Sequence, residues 1–298
     1  MEKIFEIEDG VLIRCLDEDI VDAVIPNGVT YIGPWAFEGC KKLKSVTIPE
    51  SVTRIETWAF CDCKKLKSVT IPEGVTRIGT GAFNGCSSLK TVRISDSVTS
   101  IECGAFNGCS SLESINIPDS VTSIGDGAFG RCESLTAINI PPLVTKIKNC
   151  AFYDCRKLKS VVIPENVTSI DSKAFAFCNS LRSAIIPESV TIIGAWAFFE
   201  CGKLESIHIP DSVTTIEHGA FSECSSLKSV TIPDGVTSIE RDTFSGCSSL
   251  ESIHIPESVT SIGTGAFDRC PSLESIVIKE GITGGGPCIF DDYCFKGE

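Results

Sequence analysis

The chain has 298 residues, a formal charge of −13, 42% hydrophobic residues and 17 cysteines. The acidity opposes nucleic-acid binding, and no stretch approaches the length of a membrane span. The start, Met1 to Cys15, lacks the basic region and long apolar run of a secretory signal, so the chain as written is expected to be soluble and cytosolic.

Length alone suggests about two globular domains, but the sequence repeats itself without interruption. An isoleucine recurs from Ile25 and Ile48 through Ile255 to Ile278, always 23 residues apart. Thr from Thr30 to Thr283, Phe from Phe37 to Phe290, Leu from Leu43 to Leu273 and Cys from Cys40 to Cys270 keep the same step. A fixed period without insertions marks a solenoid, because one coil cannot bury its apolar face and must stack it on the equivalent face of the next. The expectation is one elongated, β-rich repeat solenoid of short parallel strands with turns and single helical turns.

Residues 1–24 read as an N-terminal β-hairpin cap, with Phe5, Ile7, Val11 and Ile13 alternating around Asp9-Gly10. Residues 25–280 hold the solenoid of about eleven coils. In the reference coil, Leu43, Val46 and Ile48 face inward on a short strand whose outward residues are Ser45 and Thr47, and Pro49 ends it. A second extended segment places Val52 and Ile55 inward, and Trp58 to Cys63 reads as one helical turn packing Ala59, Phe60 and Cys63. At the far end Gly284-Gly285-Gly286 breaks the pattern, so 281–298 reads as a degenerate C-terminal cap or a truncated coil.

Several columns invite chemical readings. The residue after the strand-ending Pro is acidic in most coils, from Glu50 and Glu73 to Glu280. This column reads as a solvated turn; its sharper alternative is a weak multisite cation edge, since oxygen ligands suit hard cations. The Cys40-to-Cys270 column reads as small buried hydrophobes and not as disulfides or zinc ligands, because stacked identical columns do not aim sulfurs at each other. His208 and His254 share one outward column two coils apart, roughly 10 Å by strand spacing, too far for one metal ion. The serine column is structural, with no base beside it, and the Thr column fits a β-branched residue that satisfies backbone groups.

Specificity is expected where outward positions differ between coils. The column of Thr47 holds Arg93, Asn116, Asn139, Val162, Ile185, His208 and His254, which are the candidate partner-binding residues. Unusual apolar residues also occur at Ile192, Trp196, Phe199, Tyr153 and Phe177, on columns that read as different sides of the coil. A basic area in the early coils comprises Lys41, Lys42, Lys44, Lys64, Lys65, Lys67 and Lys90, with Arg54 and Arg77 on another face.

The phrase "IPDSVTSIGDGAFGRCESLTAINIP", Ile117 to Pro141, and its recurrence resemble the BspA-like leucine-rich repeats, and "FEIEDGVLIR" resembles their leading cap. The resemblance covers about residues 25–280 and implies a leucine-rich-repeat solenoid with a parallel sheet on one side, although the usual Asn column of other leucine-rich repeats is missing. It also implies a surface or secreted adhesion or interaction module, against the cytosolic location expected from the sequence as written. The combined expectation is a non-catalytic, monomeric scaffold that binds a protein, with a cell-surface adhesin or a carbohydrate- or host-binding module as alternative. No cofactor, metal, nucleic acid or membrane insertion is expected.

Overall fold

The computed structural model describes residues 4–274 and 276; the expected C-terminal cap at 281–298 lies outside the described residues. The fold is a β-solenoid of about eleven turns. Two compact units, Met1–Val144 and Thr145–Glu298, divide the chain.

In the first unit, β1 (Phe5–Glu8) and β2 (Val11–Cys15) pair antiparallel. Asp9 at φ 47° and Gly10 at φ 77° make the tight turn between them. Then follow β3 (Asp22–Val24), β4 (Tyr31–Ile32), β5 (Ser45–Thr47), β6 (Arg54–Ile55), β7 (Ser68–Thr70), β8 (Arg77–Ile78), β9 (Thr91–Arg93), β10 (Ser100–Ile101) and β11 (Ser123–Ile124). They form two sheets: β3-β5-β7-β9, whose strands run up to the turns at Pro26, Pro49, Pro72 and Ser95, and β1-β2-β4-β6-β8-β10-β11, in which the hairpin is continued by the two-residue strands that follow such turns. Every pairing after the hairpin is parallel, and beyond the β2–β4 contact it sets residues 23 apart opposite each other, as in Ser68↔Thr91 and Ser100↔Ser123.

The second unit repeats the scheme with β12 (Lys146–Ile147), β13 (Ser160–Val162), β14 (Ser169–Ile170), β15 (Ser183–Ile185), β16 (Ile192–Ile193), β17 (Thr215–Ile216), β18 (Ser229–Thr231), β19 (Ser238–Ile239), β20 (Ser252–His254) and β21 (Ser261–Ile262). The ladders here are β12-β14-β16-β17, β13-β15, β18-β20 and β19-β21. The strand expected in every coil is not made at 114–116, 137–139 or 206–208. The first two of these segments carry Asn116 and Asn139 at the outward position, and Asn is a poor strand former.

The core is built of stacked columns. In the first unit Phe60, Phe83, Phe106 and Phe129 stack at centroid spacings of 5.2, 5.4 and 5.5 Å with rings within 7° of parallel. Phe175, Phe198, Phe221 and Phe244 stack in the second unit at 5.4, 5.5 and 5.6 Å with rings within 13° of parallel. These offset stacks add to the burial energy of large apolar side chains.

Polar atoms between coils are matched in columns too. Thr53, Thr99, Thr122, Thr168, Thr191 and Thr214 each donate both the backbone N–H and the hydroxyl to the carbonyl of the Thr 23 residues earlier. Ser51, Ser97, Ser120, Ser189, Ser212 and Ser258 donate to the Val carbonyl of the preceding coil at 2.6–2.8 Å. Buried carbonyls left open by short strands therefore find donors.

The single helical turn expected at Trp58 to Cys63 is corrected by the structure: no helix occurs among the described residues. Cys61 N–H bonds to the Trp58 carbonyl and Cys63 N–H to the Phe60 carbonyl, but Trp58 at φ 59° and Asp62 at φ 55° are left-handed. Two left-handed residues within one turn stop a right-handed helix from propagating. The equivalent positions are left-handed in other coils as well, held by Cys150, Lys173, Trp196 and Asp242 at φ 55–59°.

The Trp58 ring lies against Gly81, where an added Cβ would come 2.3 Å from the ring, and Trp35 stacks on its other face at 5.4 Å. The indole cannot retreat without breaking that stack. Gly81→Ala is expected to cost about 2–4 kcal/mol, from the left-handed φ of 60° and the overlap. In a Trp58→Gly background the cost should shrink to the backbone part alone, which urea denaturation of the double-mutant cycle reads directly. An undiminished cost in that background would rule out the ring as the obstacle.

Candidate functional site

The outward strand column starts, in the first unit, at Val24, which pairs with Thr47, and includes Thr70 opposite Arg93. All four are exposed, Val24 to 67%, and Asn116 and Asn139 are exposed too. In the second unit β13 and β15 set Val162 directly beside Ile185, each 60% exposed. His208 is exposed in the coil that lacks a strand. Thr231 and His254 are paired on β18 and β20, and with Ser229 and Ser252 they line an open depression of about 310 Å³.

No group of three or more His, Cys, Asp or Glu able to hold a metal occurs among the described residues. In the acidic column Glu50 accepts the Glu73 N–H at 3.2 Å, a turn-capping bond between coils. Ser45 donates to the Asp22 carboxylate, within the same ladder. Among the described residues no helix is long and apolar enough to cross a membrane.

The cysteine column has a second role that its spacing did not disclose. Cys86, Cys109 and Cys132 donate their thiol protons to the carbonyls of Phe60, Phe83 and Phe106 at 3.2–3.3 Å. Cys178, Cys201, Cys224, Cys247 and Cys270 do likewise to Phe152, Phe175, Phe198, Phe221 and Phe244. Each thiol is thus a core hydrophobe and also a donor to the coil before it. Burial pushes Cys132, Cys178 and Cys224 up to about 12 and Cys109, Cys201 and Cys247 well above the ordinary 9.0. A buried thiol held protonated is a poor nucleophile and metal ligand, and no disulfide joins the described cysteines.

The unusual aromatics do not lie on different sides of the coil. Tyr153 meets Phe177 at 5.2 Å, Phe177 meets Phe199 at 5.1 Å, Phe199 meets Trp196 at 5.0 Å and Trp196 meets His218 at 5.8 Å, all edge to face. The two left-handed residues of each turn fold three neighbouring columns onto one corner. Ile185 and Ile192, on β15 and β16, belong to separate sheets, as expected. Arg54 lies 5.0 Å over the Tyr31 ring and Arg77 sits 3.6 Å from Glu102.

Parallel coils of 23 residues, an inward Leu, Ile and Phe set and an exposed strand column define a leucine-rich-repeat solenoid. The chain belongs to the BspA type leucine rich repeat family, whose profile matches residues 14–111, 99–228 and 192–297. It is similar to a leucine-rich repeat protein from Bacteroides ovatus, at 30% identity over 93% of this chain and 85% of that one, with a TM-score of 0.73. A leucine rich cell surface protein from Faecalibacterium prausnitzii is 35% identical over 90% of this chain and 73% of its own, with a TM-score of 0.58. A leucine-rich repeat protein from Eubacterium ventriosum, 22% identical over 95% of this chain and 90% of that one, shares the fold at a TM-score of 0.51. No curated protein matches the sequence. Scaffolds of this kind are typical of protein-interaction or surface proteins and are generally non-enzymatic.

Proposed function

We propose that the chain is a non-catalytic recognition scaffold that binds a protein partner through the outward strand residues of successive coils. The observation that carries this reading is the Val162–Ile185 pair. Two large aliphatic side chains stand side by side in parallel register, 60% exposed each, at a position where the coils from Thr47 to Asn139 and from His208 to His254 carry only Thr, Arg, Asn or His. Apolar surface that a fold leaves open in one place supports an interface there. Arg93, Asn116 and Asn139 in the first unit, and His208 and His254 in the second, supply the differing polar groups by which such a column would select its partner.

Ile185→Asp should weaken partner binding by about 2 kcal/mol, roughly thirtyfold, with the thermal midpoint unchanged. Arg93→Glu should alter the salt dependence of association. A pull-down followed by titration of the captured partner tests both. A partner set and affinity unchanged in Val162→Asp/Ile185→Asp would remove the strand face from consideration.

A second reading, a cell-surface adhesin, is favoured by the 35% identity to a bacterial cell surface protein. Protease treatment of intact cells separates the two: an adhesin is digested from outside, a cytosolic scaffold survives until lysis.

A further inference from the structure

We propose that the first unit carries a second site, a lysine ladder that binds a linear sulfated polysaccharide. The chain as a whole is acidic, yet residues 41–93 contain ten Lys and Arg against four Asp and Glu, a local charge of +6. Most of that charge is gathered on one edge. Lys44, Lys67 and Lys90 immediately precede β5, β7 and β9, and the Lys67 and Lys90 N–H groups bond to the Lys44 and Lys67 carbonyls. The three are therefore stacked in register about 4.8 Å apart. Lys41 and Lys65 project from the turns just before the same strands, and all five are exposed.

The scaffold does not need this arrangement. Like charges directly opposite one another on neighbouring strands are destabilising. In the second unit the same column stops such a run after two residues: Lys159 and Arg182 are bonded through their backbones, but Arg182 pairs with Glu205 at 3.6 Å, and Lys228 is bonded through its backbone between Glu205 and Glu251. In the first unit Lys42 is neutralised by Asp19 at 2.9 Å and Lys64 approaches Asp62 at 3.6 Å. Lys41, Lys44, Lys65, Lys67 and Lys90 make no ion pair among the described residues. A ladder of unneutralised lysines, kept at a cost to the sheet, is a feature of a site that meets anions.

The surroundings select the kind of anion. Beside the ladder run Ser45, Ser68, Thr91, Thr47 and Thr70, all exposed on β5, β7 and β9. Hydroxyls next to ammonium groups suit a polymer rich in hydroxyl and sulfate oxygens. No exposed aliphatic or aromatic residue stands on β5, β7 or β9 to anchor a peptide, and no aromatic interleaves with the lysines to stack nucleobases. An extended chain lying along the stacking direction meets one lysine per coil, a match that a compact ligand cannot reproduce. The site borders the outward strand column at Thr47 and Thr70, but it rests on lysines that the strand-face protein reading does not use.

The test titrates a heparin dodecasaccharide into the full chain at about 0.15 M salt, where the Debye length is about 8 Å. Lys44→Gln/Lys67→Gln/Lys90→Gln keeps the aliphatic stems and is expected to lower affinity about tenfold, the sum of three surface pairs of usual size. Lys159→Gln/Lys203→Gln/Lys228→Gln in the second unit removes the same charge and should leave affinity within about twofold. Loss of binding with fully desulfated heparin supports the sulfate requirement. Equal losses in the two triple variants would reduce the effect to net charge and overturn the site. Poly-L-glutamate binding as tightly as heparin, with the same loss in the first variant, would assign it to acidic polypeptides instead, and no heparin binding by the parent chain would end the proposal.

Discussion

Raising the pH under reducing conditions should unfold the protein steeply, with a midpoint near about pH 10. Cys86, Cys109, Cys132, Cys178, Cys201, Cys224 and Cys247 are all raised above 9.0, burial being the first cause in each case. In the unfolded chain these thiols ionise as the pH passes 9.0, whereas in the fold they stay protonated to about 12 at Cys132, Cys178 and Cys224. Above 9.0 the unfolded chain therefore binds fewer protons than the folded one. Stability is fully present below that value and falls as pH rises towards the folded values. Each buried thiol removes about 1.4 kcal/mol per pH unit in that window. Seven together remove about 10 kcal/mol per pH unit, comparable with the whole stability of a domain. Denaturant melts at a series of pH values count the protons from the slope. A count near one or two, or a far-UV spectrum unchanged at about pH 11.5, would sink the thiol account.

Phe106→Ala should cost about 3–5 kcal/mol. Phe106 is fully buried and stacked between Phe83 at 5.4 Å and Phe129 at 5.5 Å, so truncation empties a site whose neighbours are fixed by their own stacks. A solenoid is held by nearest-neighbour interfaces, so a gap in the middle of the column also weakens coupling between the coils on either side. The expected result is a lower urea midpoint together with a broadened or split transition. Phe5→Ala should cost less, because Phe5 is 9% exposed and meets Phe37 only edge-on at 6.1 Å. A loss at Phe106 no greater than that at Phe5 would refute the column as the main source of cohesion.

The inward and outward columns were legible because a parallel stack repeats each residue on its equivalent. Phe60, Leu66 and Cys63 are fully buried and Thr47 and Thr70 are exposed for that reason. The corner between them was not legible. Trp58, Gly81, Cys150 and Lys173 share no chemistry, and what they share is a left-handed backbone near φ 55–60°. That torsion, invisible in residue type, replaced the expected helical turn and gathered Tyr153, Phe177, Phe199 and Trp196 onto one corner.

By itself the sequence determined the period, the solenoid class, the buried set and the exposed column that holds Arg93, Val162 and Ile185, since all of these follow from one residue standing over its equivalent 23 positions away. Only the tertiary structure decided what crosses between columns. The Cys86 thiol reaches Phe60, 26 residues back, and the Ser51 hydroxyl reaches Val29, 22 back. Those offsets differ from the repeat because the donors lean across the coil towards open carbonyls. A spacing rule registers stacked likeness, whereas a hydrogen bond between unlike columns depends on where the turns place the two atoms.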